Sequence, residues 1–177
     1  TTQKLRFNQF GGNIGGPLSK KASFFFDAER RNIQDTSVVS AVVLDSAFNE
    51  IPFSQAVLVP SIRTELSPRI DYQVSTTNTL TVRYQFWQNS VANGGVGQFA
   101  LPSLAYNNGS TEQTLQVSDS QVLGEKTVNE TRFRYRRASY NQTPLSLQPM
   151  LNVLGAFQSG GNSGGKSLDA QDRYELQ

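Results

Sequence analysis

Over most of the chain, hydrophobic and polar residues alternate with a period of two, the spacing at which successive side chains of a β-strand point to opposite faces. In TELSPRIDYQV, residues 64–74, Leu66, Pro68, Ile70, Tyr72 and Val74 share one face, and Glu65, Ser67, Arg69, Asp71 and Gln73 the other. After the polar STTNT, Leu80, Val82, Tyr84 and Phe86 share a face against Thr81, Arg83 and Gln85, so the two segments predict a β-hairpin. TRFRYRRA sets Phe133 and Tyr135 against Arg132, Arg134 and Arg136, and SFFFDAERR sets Phe24, Phe26 and Ala28 against Phe25, Asp27, Glu29 and Arg31. Pro68 cannot donate to a ladder, which predicts a bulge or an early strand start there. Helical periodicity is scarce. The pattern predicts an all-β chain, an antiparallel meander of about six long strands.

The connections sharpen this. Short ones fall near 19–23, 75–79 and 124–130, and long ones rich in Gly, Ser, Asn, Gln and Pro fall near 38–63, 88–112 and 140–171. Strict alternation of short and long connections is the habit of a transmembrane β-barrel with periplasmic turns and extracellular loops, and strands of about ten residues suit a tilted crossing. On that reading Asp27, Glu29, Arg31, Arg69, Asp71, Arg83, Arg132, Arg134 and Arg136 face a polar lumen. Phe24, Phe26, Ile70, Tyr72, Val82, Tyr84, Phe86, Phe133 and Tyr135 face lipid, with the aromatics suited to the membrane–water boundary. A secreted β-sandwich binding module gives the same alternation in each strand, with the aromatic face as core and the long loops as the recognition surface.

Composition removes several chemistries. The chain has 177 residues, no Cys and no His, which excludes disulfides, thiolates, imidazole bases and the usual zinc sites. A net charge of +2 lacks the concentrated basic field of a nucleic-acid binder, and no apolar run is long enough to cross a bilayer as a helix. The lack of a starting Met and of a signal peptide reads as a piece of something longer.

FNQFGGNIGGPLSKKASFFFDAERR, residues 7–31, combines NQFGG, GGP, a Lys-Lys turn and three consecutive phenylalanines. This segment resembles one early in the barrel of TonB-dependent outer-membrane receptors, specifically the large Oar-like type abundant in Acidobacteria. RIDYQVSTTNTLTVRYQFWQN and TVNETRFRYRRA resemble later hairpins of the same barrels; DAERR departs from the aromatic that the family usually carries before the Glu. The resemblance implies part of the wall of a 22-stranded barrel in the outer membrane of a Gram-negative bacterium. Its implied partners are outer-membrane lipid, a plug domain, the TonB complex and a small-molecule, peptide or carbohydrate ligand, and not nucleic acid. Residues 1–177 carry no plug domain, TonB box or C-terminal aromatic strand, and the chain reads as neither an enzyme nor a cofactor binder. Gly11, Gly12, Gly15 and Gly16 are expected where another backbone comes close.

GGNSGGKS, residues 160–167, satisfies the phosphate-loop pattern with Gly160, Gly165, Lys166 and Ser167. A working loop needs a buried strand before it and a helix after it, so an NTPase reading requires residues 168–177 to be helical. Asp27 and Glu29 lie on one face at a spacing open to paired-carboxylate catalysis, but Arg31 two residues on favours a charged ladder.

Overall fold

A computed structural model describes residues 5–177. The strands are β1 (Arg6–Ser19), β2 (Ala22–Leu44), β3 (Glu50–Ser75), β4 (Asn78–Gly94), β5 (Tyr106–Val122), β6 (Val128–Pro144), β7 (Leu151–Val153), β8 (Phe157–Ser159) and β9 (Ser167–Leu176). Seven of them form one antiparallel sheet in the order β1-β2-β3-β4-β5-β6-β9, and β7 pairs only with β8. The sheet does not close: β1 and β9 lie at its two edges. Its register is carried by direct pairs such as Phe24↔Ile70, Ile70↔Val82, Val82↔Val117 and Val117↔Phe133.

All three short connections lie at one end of the sheet. Two are two-residue turns, Lys20-Lys21 and Thr76-Thr77, and each follows a serine whose Oγ accepts a hydrogen bond at 3.2 Å from the backbone N–H two residues on, Lys21 in one and Thr77 in the other. The serine hydroxyl thus supplies the local acceptor that a tight reversal needs. The third short connection spans residues 123–127.

The other end differs from the expected pattern in two places. Residues 38–63 are not a loop: β2 (23 residues) and β3 (26 residues) run on as a ladder from Ala22↔Tyr72 to Leu44↔Glu50 and reverse at residues 45–49. At roughly 3.3 Å per residue these strands are about 75–85 Å long, so the hairpin projects well past its neighbours. Long connections remain at 95–105, which holds a 3₁₀ turn at Pro102–Leu104, and at 145–166, which holds the β7–β8 hairpin. Finally, residues 168–177 are not a helix, because Ser167–Leu176 is a strand pairing with β6 from Gln142↔Ser167 to Phe133↔Leu176. The meander therefore has seven strands where about six were expected.

Pro68 produces neither a bulge nor an early start. β3 runs through it, and the β3–β4 ladder skips from Leu66↔Phe86 to Arg69↔Arg83 without a register change, so only local pairing is lost. Of the four β1 glycines expected to meet a neighbouring backbone, Gly11 and Gly15 meet that of β2, whereas a Cβ at Gly12 would have open space and one at Gly16 would touch only the Phe24 ring at 3.9 Å. A Cβ at Gly11 would stand 3.1 Å from the Ala28 carbonyl oxygen, and one at Gly15 would stand 3.0 Å from that of Phe24.

The buried core is small and eccentric. Val39, Ala41, Val96 and Ala105 form it, with Val43, Phe53, Val57, Leu101 and Phe157 packed around them. It lies where loop 95–105 and β8 fold over one face of the projecting β2–β3 hairpin. The loop crosses that face from edge to edge. Asn93 Nδ2 donates to the Leu58 carbonyl at 2.9 Å on the β3 side, while Gln98 donates to Val38 O at 2.9 Å and accepts from Ser40 N–H at 2.7 Å on the β2 side. Gly97, at φ +137°, sits between these anchors against the Ser37 hydroxyl, a backbone conformation that suits only glycine.

Candidate functional site

Pairing extends the alternation of single strands into two contrasting faces. On one face, Ile14, Phe26, Pro68, Tyr84, Leu115, Tyr135 and Tyr174 follow one another across the sheet, and beside them run Gly16, Phe24, Ile70, Val82, Val117, Phe133 and Leu176. Tyr72 pairs with Leu80, and Phe86 with Leu66, on the same side. Every residue expected on the apolar face is thus brought to one face. No second sheet covers it among the described residues: Ile70 is 47% exposed, Tyr72 45% and Phe133 39%. Tyr135 and Tyr174 stack at 5.0 Å between ring centroids.

The apolar zone has polar borders. Asp119 and Thr131 lie toward the short turns, and Arg30, Gln113, Arg137 and Asp172 lie toward the long loops. Arg137 pairs with Asp172 at 3.8 Å, and the Tyr135 hydroxyl donates to Asp172 Oδ1 at 2.7 Å. An aromatic with its polar tip turned to a charged pair is the arrangement favoured where an apolar layer meets water.

The opposite face carries the charges. Arg31 pairs with Glu29, which also accepts from Gln9 Nε2 at 2.6 Å. Arg69 pairs with Asp71 at 2.8 Å, Arg132 with Glu130 at 2.6 Å, Arg134 with Glu175 at 3.2 Å and Arg136 with Glu112 at 2.5 Å. Asp27 and Arg83 lie in the same array, and Arg63 stacks over Trp87 at 5.7 Å from the ring centre. All the residues expected on the polar face are therefore on one face. Glu29 is engaged by Arg31 and Gln9, the ladder arrangement and not a free carboxylate pair with Asp27. Of the acidic partners, Glu29 and Asp71 were among the expected residues, whereas Glu112 and Glu130 lie in segments read as connections and Glu175 in a segment to which no strand was assigned.

The long-loop end presents a separate feature at the tip of the β2–β3 hairpin. Asp45 Oδ1 accepts from the backbone N–H groups of Ala47 and Asn49, each at 2.8 Å, and Asp45 Oδ2 accepts from Asn49 Nδ2 at 3.2 Å. This holds Phe48 at φ +63° with its ring 82% exposed. The Asn49 backbone N–H, then its side-chain amide, and with a lesser part from the Ala47 N–H, hold the Asp45 carboxyl below its ordinary value against the opposing effect of burial. A carboxyl lowered in the folded state stabilises the tip above the unfolded-state value, about 3.9, and that contribution disappears as the pH falls through the lower folded value. The amide resonance of Asn49 is thus expected to hold its position at neutral pH and shift only in acid. Asp45→Asn should abolish that step; a step that survives the substitution would contradict the assignment.

The Gly160–Ser167 segment is a loop entering β9, and the strand puts no helix N-terminus behind Lys166. No helix among the described residues is long and apolar enough to cross a membrane, which says nothing of crossing by strands. Comparison with protein-family models, curated proteins and solved structures finds no match to the chain.

Proposed function

We propose that this chain is part of the wall of an outer-membrane β-barrel of the TonB-dependent receptor type, serving energised uptake of a ligand across the outer membrane. The observation that carries the reading is the pairing of an uncovered apolar face with a charged ladder on the reverse of one long antiparallel meander. A water-soluble sheet buries its apolar face, whereas a barrel wall turns that face to lipid and lines its lumen with charge. Short turns gathered at one end and a projecting hairpin with folded loops at the other support the same orientation. The open edges at β1 and β9 then pair with further strands, since an exposed edge is an aggregation hazard.

On this reading Arg69, Asp71, Arg83, Arg132, Arg134 and Arg136 line the lumen and Ile70, Tyr72, Val82 and Phe133 meet acyl chains. The loops over Val39 and the Phe48 tip form the outward surface where ligand arrives. No catalysis is assigned. The test is fractionation of the host cell followed by uptake with and without a proton-motive force. The full-length protein is expected in the outer membrane, with uptake lost on adding a protonophore. Recovery in the periplasm or medium would favour the secreted binding module.

A further inference from the structure

Along one row of the polar face the sheet sets Arg69 on β3, Arg83 on β4, Gln116 on β5, Arg134 on β6 and Glu175 on β9 side by side. Arg69 and Arg83 are direct cross-strand partners, and like charges so placed repel. Arg69 is met by Asp71, whose Oδ1 accepts from its Nε at 3.0 Å and Nη2 at 2.8 Å and also from the Thr81 hydroxyl at 2.7 Å. Asp71 also feels the charge of Arg83, yet among the described residues Arg83 makes no hydrogen bond or ion pair. At the other end of the row, Glu175 serves two arginines, Arg134 at 3.2 Å and Arg173 at 2.7 Å. Each end therefore carries two arginines for one carboxylate.

Between them lies Gln116, whose amide nitrogen donates to Ser118 Oγ at 3.2 Å. Arg83 and Arg134 stand two strand spacings apart, roughly 10 Å between backbones, so their side chains can converge above Gln116. Guanidinium groups present planar forks of donors that match the oxygens of a carboxylate or a phosphate. We propose that Arg83 and Arg134, over Gln116, form a binding site for such an oxyanion, which neutralises the surplus charge of the row. The oxyanion is either a free ligand or an acidic side chain of the protein beyond residues 5–177. The inference concerns the polar face alone and holds whether or not the reverse face meets lipid.

The experiment uses purified full-length protein titrated with inorganic phosphate by calorimetry, alongside thermal unfolding without phosphate. If the anion is a free ligand, phosphate binds, and Arg83→Gln and Arg134→Gln each weaken it by about tenfold or more, the loss of a charge-assisted hydrogen bond. Arg137→Gln, on the other face, leaves it unchanged. If the protein supplies its own carboxylate, phosphate does not bind and Arg83→Gln lowers Tm. Should Arg83→Gln fail to assemble, Arg83→Lys keeps the charge without the fork and is expected to fold with weakened phosphate binding. The proposal is overturned if phosphate binds equally to wild type and both Gln variants, an adventitious ion only. It is also overturned if phosphate does not bind and Arg83→Gln leaves Tm unchanged or raises it, as relief of uncompensated repulsion would.

Discussion

Val82→Arg is expected to prevent stable assembly in the membrane. Val82 sits on the central strand of the seven, with Ile70 on one side and Val117 on the other, in the row that also holds Phe24 and Phe133. If this face meets acyl chains, an arginine at mid-depth costs about 2–4 kcal/mol, falling toward zero near the interfaces. Arginine already occurs on the same face at Arg30 and Arg137, toward the long loops and outside the apolar rows. Hence position along the strand, and not the arginine itself, is what the substitution tests. Folding into lipid vesicles, followed by heat-modifiable migration on gels, should show Val82→Arg unfolded and Gln85→Leu, on the polar face of the same strand, folded. A folded Val82→Arg would place this face against water.

Val39→Asp should release the loop 95–105 while leaving the sheet intact. Val39 is 0% exposed, enclosed by Ala41, Val96 and Ala105, and its cross-strand partner is the uncharged Gln55, so an aspartate there meets no cation from its own strand pair. An uncompensated charge buried there costs about 3–5 kcal/mol, more than a small satellite core can bear. The β2–β3 ladder does not depend on that core, because its backbone pairs run past it to the tip. The damage therefore falls on segment 95–105. Rapid proteolysis within 95–105 and loss of amide protection at Gln98, which donates to Val38 O, are the expected signs. Leu104→Ala, at a site 4% exposed, should act in the same direction by about 2–5 kcal/mol. Protection of Gln98 that survives Val39→Asp would mean the loops are held by their hydrogen bonds alone.

Where a strand has one apolar and one charged face, the sequence predicted it well: Phe24 to Arg31, Leu66 to Gln73, Leu80 to Phe86 and Arg132 to Arg136 all fall on the faces their spacing implies, while Val74 sits at a register shift without a cross-strand partner. The projecting hairpin was not legible because its period is masked. In TSVVSAVVL, Val39, Ala41 and Val43 pack beneath loops while Val38 and Val42 occupy the other face, so apolar residues appear on both sides. The outer parts of β4 and β5, including QNSVANG and YNNGSTE, are strands because neighbouring backbones pair with them, and their side chains carry little sign of it. β9 was not recognised as a strand because Asp172 interrupts its apolar face. That aspartate is bound to Arg137 and Tyr135 on the adjacent strand, a partnership only the fold creates. The uncompensated Arg83 was equally hidden, since it follows from register and from which acids are already engaged.

The central claim is that alternate residues of these strands face lipid. The chain contains no cysteine, so single cysteines placed in turn at residues 80–86 and 131–136 can carry a fluorophore without a competing thiol from this chain. In the full-length protein reconstituted into vesicles with lipids brominated along their acyl chains, labels at positions 80, 82, 84, 133 and 135 should be quenched and those at 81, 83, 132, 134 and 136 should not. Equal quenching at odd and even positions, or none at either, would contradict the barrel-wall account.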